Sequence, residues 1–239
     1  FGLVMVLSAT MATSVSDGQS PFEVMIKQGI LAVIGVPLMF ALSRLPADFF
    51  RRIAWFALGG ALGLQMLVFV PGIGIVNDGN RNWIRLFGQQ LQPSEFLKLA
   101  FALWLGYILY RKRHLMSDWK HVYIPIVPVS ILVIGLVAAG SGDLGTAMIL
   151  MLILLASLFF AGVRFRVFAI PAVLVVIVAV GYVVTSPNRM TRILSFLDRE
   201  ACFDNYHGTC YQPLHGVWGL ANGGLFGLGL GNSREKYAW

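Results

Sequence analysis

Charged side chains are scarce in this sequence. Aspartate, glutamate, lysine and arginine make up 12% of its 239 residues, whereas a soluble globular domain carries about 25%. Apolar residues make up 57%, which is more than the core of a soluble domain of this size could bury. The composition therefore excludes an ordinary soluble protein and predicts an integral membrane protein.

Cysteine and histidine are also rare, with two and four copies. Cys202 and Cys210 lie close together in one polar segment. On the cytosolic side such a pair would suggest metal binding, whereas outside the cytoplasm a disulfide is expected. That bond would stabilise the loop by about 2–3 kcal/mol. His207 and His215 lack the spacing and the neighbouring ligands of a metal site.

The sequence is rich in long apolar runs. A helix that crosses the ~30 Å hydrocarbon core needs ~20 residues, and some of the runs need tilt or interfacial flanks to reach that length. The seven runs cover residues 1–13, 25–42, 53–70, 95–110, 122–140, 144–162 and 167–185. We therefore predict an all-α fold, a polytopic transmembrane helix bundle that forms one integral membrane domain over residues 1–239. The sequence begins inside an apolar run, so we expect a fragment of a longer protein that is truncated at both ends.

The basic residues predict the orientation of this bundle. Nine of the 18 lysines and arginines lie in three alternate short loops, at residues 43–52, 111–121 and 162–166. The positive-inside rule places these loops in the cytoplasm. The segments that then face outward are residues 14–24, 71–94, 141–143 and a large extracytoplasmic loop region, 186–239. The glycine-rich part of that region is expected to be re-entrant or interfacial, with a free span as the alternative.

The segment LQPSEFLKLAF carries a lysine, Lys98, close to the start of an apolar run. Pro93 and Glu95 suit the first turn of a helix, which puts Lys98 on the face of Glu95 at i, i+3 spacing. The lysine either snorkels to the membrane surface or faces an internal polar cavity and pairs with an acid. Asp143 opens another helix on the same side and is the hypothetical partner, unless it serves only as a helix cap.

The segment NRNWIRL places Arg81 and Arg85 four residues apart, with Trp83 between them. Trp83 is interpreted either as an interfacial anchor or as part of a functional site. Two guanidiniums near the outer surface can hold phosphate oxygens by bidentate hydrogen bonds. Further basic residues are predicted on the same side, namely Arg189, Arg192, Arg234 and Lys236. Such a basic and apolar surface suits an anionic lipid head group, for example a pyrophosphate.

Several long motifs, in the same order, resemble one protein family. NDGNRNWIRL followed by QPSEFLKLA resembles the signature of the SEDS family, named for shape, elongation, division and sporulation. GDLGTAMILMLILLASLFFAGVRF resembles the outer turn and following helix of that family. RMTRILSFLD, GTCYQ and GGLFGLGLGNSREK resemble its large outer loop. The ending GLGNSREKYAW is more similar to the division branch than to the elongation branch.

The resemblance implies ten transmembrane helices in the full-length protein and peptidoglycan glycosyltransferase activity. Such enzymes polymerise lipid II during septal cell-wall synthesis and release undecaprenyl pyrophosphate. Supporting catalytic roles are predicted for Trp83, Lys98 and Asp143. Substrate binding is predicted for Arg81, Arg85, Glu95, Arg189, Arg192, Gln212 and Lys236. The family's essential aspartate lies in a motif of the form LPExHxDF, which would begin just past Trp239, so the general base is expected outside this sequence.

The resemblance also implies partners and a location. The expected partners are lipid II, undecaprenyl-linked glycan, a class B penicillin-binding protein acting as transpeptidase, and other divisome proteins, but no nucleic acid. A divalent metal, Mg²⁺ or Mn²⁺, is compatible with a pyrophosphate leaving group. The location is the bacterial cytoplasmic membrane, with the active site on the extracytoplasmic side. Two alternatives stay open, a lipid II flippase and a non-catalytic divisome scaffold.

Overall fold

The computed structural model describes residues 1–77, 80–86, 88–115, 118–184, 190, 210–233 and 235. They form two compact units, one from residues 1–44 with the chain from 182 onward, and one from residues 45–181. The prediction of one membrane domain with an extracytoplasmic region from residue 186 is not tested by this division and stays a prediction.

Every predicted apolar run is helical. The helices are α1 (Gly2–Ser16), α2 (Glu23–Ser43), α3 (Ala47–Met66), α4 (Pro93–Arg111), α5 (Trp119–Gly135), α6 (Leu144–Phe160) and α7 (Phe165–Val184). A 3-10 turn, Leu67–Phe69, continues α3, and a π-helical turn, Leu136–Gly140, continues α5. Three helical segments of the described chain are long and apolar enough to cross a membrane, namely Glu23–Ser43, Ala47–Phe69 and Trp119–Gly140. The predicted polytopic helix bundle is therefore confirmed.

A small antiparallel sheet lies between α3 and α4 along the chain, where the sequence predicted only an outer loop. Its strands are β1 (Gly74–Asn77), β2 (Asn80–Leu86) and β3 (Gln89–Leu91), in the order β1-β2-β3. Trp83 pairs with Ile75 and Ile84 with Leu91. These aromatic and β-branched residues fit a pleated, half-buried surface, and Ile84 is fully buried. The sheet adds a rigid polar element to the otherwise helical fold.

Helix α4 forms the centre of the unit made by residues 45–181. Its residues Leu97, Phe101, Trp104 and Leu105 are completely buried. The Trp104 ring stacks on Phe101 with centroids 6.3 Å apart and meets Trp55 of α3 edge-on at 5.4 Å. Since lipid tails are as apolar as these side chains, close van der Waals packing is what holds such helices together.

The other unit contains α1, α2 and a short helix, α8 (Tyr211–Gly223). At 13 residues, α8 is shorter than the ~20 residues that a membrane span requires, in line with the prediction of a segment that does not cross. The chain after α8 turns through glycines with positive φ, and the amide of Gly231 donates to Ser8 Oγ of α1 at 2.9 Å. Cys210 is disulfide-bonded, but Cys202 lies outside the described residues, so the pairing stays a prediction.

Replacing Gly74 by alanine is expected to destabilise the sheet, because the new Cβ would overlap the backbone carbonyl of Val68. Overpacking of this kind costs about 1–3 kcal/mol, and a backbone carbonyl cannot rotate away as a side chain can. Gly63→Ala in α3 is the matched control, since nothing lies within 4 Å of its added Cβ. Thermal unfolding in detergent compares them, and an unchanged melting temperature for Gly74→Ala would contradict the packing of β1 on Val68.

Candidate functional site

A four-residue turn, Gly140 to Asp143, joins the end of α5 to the start of α6, and we call it the outer turn. Ser141 is buried, and its Oγ accepts a hydrogen bond from Nε2 of buried Gln65 on α3 at 2.9 Å. The Ser141 carbonyl accepts from the amide of Arg81 on β2 at 3.1 Å. With its amide nitrogen turned toward Ser141, Asn82 donates to the same carbonyl at 2.9 Å. The outer turn therefore fastens β2 to the helix bundle.

The glycine of this turn is required by its conformation and by its neighbour. Gly142 has a φ of 73°, a value that side chains with a Cβ rarely adopt. An added Cβ at this position would also lie 2.5 Å from Oδ1 of Asn80. The close approach of β2 to the outer turn thus depends on the absence of a side chain at residue 142.

Asp143 caps α6 and connects it to the start of α4. Its Oδ1 accepts from the backbone amide of Thr146 at 2.9 Å, and its Oδ2 accepts from Thr146 Oγ1 at 2.8 Å. The side-chain amide of Gln92, the residue just before α4, donates to the same Oδ2 at 3.2 Å. The predicted capping alternative for Asp143 is therefore confirmed, and Gln92 links the first turns of two helices.

Lys98 does not pair with Asp143 as hypothesised. Its Nζ lies 2.8 Å from Oε1 of Glu95, at the predicted i, i+3 spacing. The hypothesis fails for a physical reason, because a carboxylate one turn away is within immediate reach of the lysine while both oxygens of Asp143 already accept hydrogen bonds. The Glu95 side chain is 57% exposed and that of Lys98 19%, so Glu95 is the more accessible side chain of the pair.

Strand β2 carries two exposed arginines and a half-buried tryptophan. Trp83 pairs with Ile75 and Arg81 with Val76, so β2 has one extra residue between these pairs and the alternation of its side chains is interrupted there. Since paired residues share a face and neighbouring residues of β1 alternate, Arg81 projects to the face opposite Trp83, whereas Arg85 shares the face of Trp83. Neither guanidinium has a carboxylate partner among the residues that the structure describes. The strand therefore offers one uncompensated cation on each face of the sheet, with Arg85 on the same face as the indole ring.

The remaining predicted residues lie in the other unit or outside the described chain. Gln212 is exposed in the first turn of α8. Five predicted residues lie outside the described residues, namely Arg189, Arg192, Cys202, Arg234 and Lys236. Within the described part of the chain, no three His, Cys, Asp or Glu side chains come together. The Mg²⁺ or Mn²⁺ cofactor stays a prediction.

Sequence reasoning missed two polar contacts. Buried His215 of α8 lies 2.6 Å, through Nδ1, from Oε2 of Glu235, whose Oε1 accepts from Asn222 at 3.2 Å. No local pattern connects positions 20 residues apart. The second contact joins Gln65 to Ser141. Here the sequence did contain a signal, because a polar side chain within an apolar helix is energetically costly unless it has a hydrogen-bond partner.

These features define a polytopic helical membrane protein with a cation-bearing sheet fixed to one end of its bundle. The model of the FtsW/RodA/SpoVE family, described as "Cell cycle protein", matches residues 1–239. The chain belongs to the FtsW/RodA/SpoVE family, as the sequence motifs predicted.

Curated relatives match almost the whole chain. A probable peptidoglycan glycosyltransferase FtsW of Mycobacterium tuberculosis is 34% identical over 236 residues, which cover 99% of this chain and 44% of that protein. Stage V sporulation protein E of Bacillus subtilis is 30% identical, over 99% of this chain and 63% of that protein. The chain thus spans about half the length of the curated relatives it matches.

Solved structures share the fold. The crystal structure of the rod shape determining protein RodA of Thermus thermophilus is similar with a TM-score of 0.53 and 22% identity, over 74% of this chain and 57% of that one. A chain from a study of how a peptidoglycan synthase complex coordinates polymerization and crosslinking gives a TM-score of 0.60 and 24% identity, over 94% and 66%. Together they confirm the bundle architecture.

Gln92 and Asp143 are expected to be energetically coupled, whereas Lys98 and Asp143 are not. A cycle of Gln92→Ala and Asp143→Ala should give a coupling of about 1 kcal/mol or more, because it removes a hydrogen bond to a charged group. The matched cycle of Lys98→Met and Asp143→Ala should give less than about 0.5 kcal/mol. Unfolding in mixed micelles measures both coupling energies. A coupling energy between Lys98 and Asp143 as large as that expected for Gln92 and Asp143 would indicate an ion pair between Lys98 and Asp143.

Proposed function

We propose that the intact protein is a peptidoglycan glycosyltransferase that polymerises lipid II during septal wall synthesis. The observation that carries this proposal is the exposed pair of arginines on β2, Arg81 and Arg85, which have no carboxylate partner in the described chain. The family membership, and the names of the relatives, support it. The proposed location of this strand is the extracytoplasmic side of the bacterial cytoplasmic membrane.

The reaction requires cations where its leaving group departs. The 4-hydroxyl of the acceptor sugar forms a bond to the anomeric carbon of the growing strand, while the bond from that carbon to the pyrophosphate oxygen breaks. The electron pair leaves with undecaprenyl pyrophosphate, so negative charge grows on it in the transition state. Preorganised guanidinium donors stabilise such charge most where it develops, and Arg81 and Arg85 are the proposed donors. The hydroxyl proton passes to a carboxylate base.

The remaining described residues position this strand in the proposal. Gln92 and Asp143 fix the start of α4 against α6, and the outer turn holds the backbone of β2. Trp83 supplies an apolar surface on the same face as Arg85. The Glu95–Lys98 pair lies in the first turns of α4, where its lysine is proposed to meet the same anionic head group.

The proposed partner is a class B penicillin-binding protein, with other divisome proteins around it. One structure of similar fold comes from work on a complex that couples polymerization with crosslinking, and a transpeptidase would supply the crosslinking step. The substrates of the proposed complex are lipid II and undecaprenyl-linked glycan.

The proposal is tested with the full-length protein, its transpeptidase partner and labelled lipid II in detergent. Glycan ladders that form in the presence of moenomycin, which inhibits the other class of polymerase, are the expected result. Translocation of lipid II head groups in liposomes without any polymer would instead establish the flippase. Partner binding with neither activity would establish the scaffold.

Neutral replacement of either sheet arginine is expected to slow polymerisation. Arg81→Gln and Arg85→Gln should each lower kcat/KM at least tenfold, because loss of one transition-state donor typically costs about 10²–10³-fold in rate. Arg164→Gln is the matched control, since this exposed arginine lies in a loop between α6 and α7, and its activity should stay within about twofold of the unaltered protein. Initial rates of polymer formation measure the effect. If Arg81→Gln and Arg85→Gln lowered kcat/KM no more than Arg164→Gln does, the arginines would not belong to the proposed site.

A further inference from the structure

A second cation-bearing site lies at the end of α4 remote from the sheet. Helix α4 has 19 residues and is about 28 Å long, so Tyr110 lies nearly a full helix length from the sheet. The guanidinium carbon of Arg51 lies 3.8 Å from the centroid of the Tyr110 ring, and that of Arg113 lies 4.3 Å from it. Both guanidiniums therefore lie against the same aromatic ring.

The charges at this end are mostly uncompensated. Arg51 has one carboxylate partner, Asp48, at 2.7 Å. Arg113 donates to the Tyr110 carbonyl at 3.2 Å and Arg111 to the Tyr107 hydroxyl at 3.2 Å, both neutral acceptors. A further positive charge lies next to Arg113 in the sequence, Lys112.

The nearby acid of the next loop is engaged elsewhere. Asp118 accepts from the amide of Lys120 at the start of α5 and lies 3.8 Å from His121. Since a guanidinium has five N–H donors, and stacking on a ring leaves those in its plane accessible, the two stacked arginines keep donors for an external anion.

Two apolar grooves lie on either side of Tyr110. One, of about 500 Å³, runs between α4 and α6 and is lined by Arg113, Ile153 and Phe160. The other, of about 420 Å³, runs between α3 and α4 and is lined by Arg51, Phe50 and Leu103. Both grooves include Tyr110 and Gly106, and an added Cβ at Gly106 would meet nothing within 4 Å.

The second groove has the length of an acyl chain within one leaflet. It extends to Ala102, nine residues before the last residue of α4, which corresponds to about 14 Å along the helix. Half of the ~30 Å hydrocarbon core is a similar distance. The second groove therefore leads from Arg51 toward the middle of α4, and the first groove leads from Arg113 to Gly106.

We propose that this end of the bundle binds one anionic phospholipid, with its phosphodiester held by Arg51 and Arg113 and one acyl chain in each groove. Cation clusters at the cytoplasmic surface, where the basic loops are predicted, attract anionic lipids, and basic pockets between helices bind their head groups. A free phosphate would leave the two grooves empty, and a single-chain prenyl lipid would fill one. A two-chain anionic lipid accounts for both grooves and both arginines.

The test measures lipid binding to purified full-length protein in detergent, without lipid II, so it does not depend on the proposed polymerase activity. Native mass spectrometry compares dioleoyl phosphatidylglycerol with dioleoyl phosphatidylcholine, which has the same chains and no net charge. We expect at least tenfold tighter binding of the glycerol lipid. Arg51→Gln/Arg113→Gln should weaken it at least tenfold, whereas the control Arg52→Gln, next to Arg51 but not stacked on Tyr110, should change it less than twofold.

A second variant separates the grooves from the charges. Gly106→Leu keeps both arginines and places a side chain at a residue that lines both grooves. It should also weaken lipid binding at least tenfold. Circular dichroism and the melting temperature in detergent verify that each variant is folded. The proposal would be overturned if phosphatidylcholine bound as tightly as phosphatidylglycerol, or if glycerol 3-phosphate competed at the same concentration as the lipid. It would also be overturned if both variants lost no more binding than Arg52→Gln.

Discussion

The hydrogen bonds of the outer turn are the constraint on which the outer end of the bundle depends. Irregular backbone at the mouth of a membrane bundle must find its partners within the protein, because lipid offers none. Ser141 meets this need through Gln65 and Arg81, and Asp143 does so through Thr146 and Gln92. Three helices and a strand are thereby tied to four residues. A sheet this small would have only marginal stability on its own, so its position depends largely on its hydrogen bonds to the outer turn.

Helix α4 connects the sheet end of its unit to the other end. It begins beside Gln92, whose hydrogen bond fixes it to α6, and its buried Phe101 and Trp104 pack it against its neighbours. It ends in the Tyr110 region, where arginines from two segments stack on one ring. In the first turns of α4 and just before it, Gln92 and Lys98 each donate to a carboxylate. At its other end, cationic groups outnumber the described anions that face them.

The helices could be predicted from the sequence because a long apolar run in a membrane protein can adopt few other structures that satisfy its backbone hydrogen bonds. The local pair of Glu95 and Lys98 was predictable for a similar reason, since helical spacing alone brings them together. The sheet was not predictable in the same way, because its strands are short and β2, NRNWIRL, lacks the alternation of polar and apolar residues that is typical of a half-buried strand. The Gln65–Ser141 bond joins positions 76 residues apart, so it exists only once α3 and the outer turn have packed together.

The failed pairing of Lys98 with Asp143 clarifies what kind of site this is. Had the lysine neutralised Asp143, the outer turn would rest on an ion pair, and an anionic substrate would compete for that lysine and loosen the turn. Instead the turn is held by amide and hydroxyl donors, which an anion does not displace. The amides of Arg81 and Arg85 are likewise bonded to the carbonyls of Ser141 and Ile73, so the described hydrogen bonds that hold the strand do not involve its guanidiniums. Its guanidiniums are thus free to bind an anion without any cost to the scaffold that holds them.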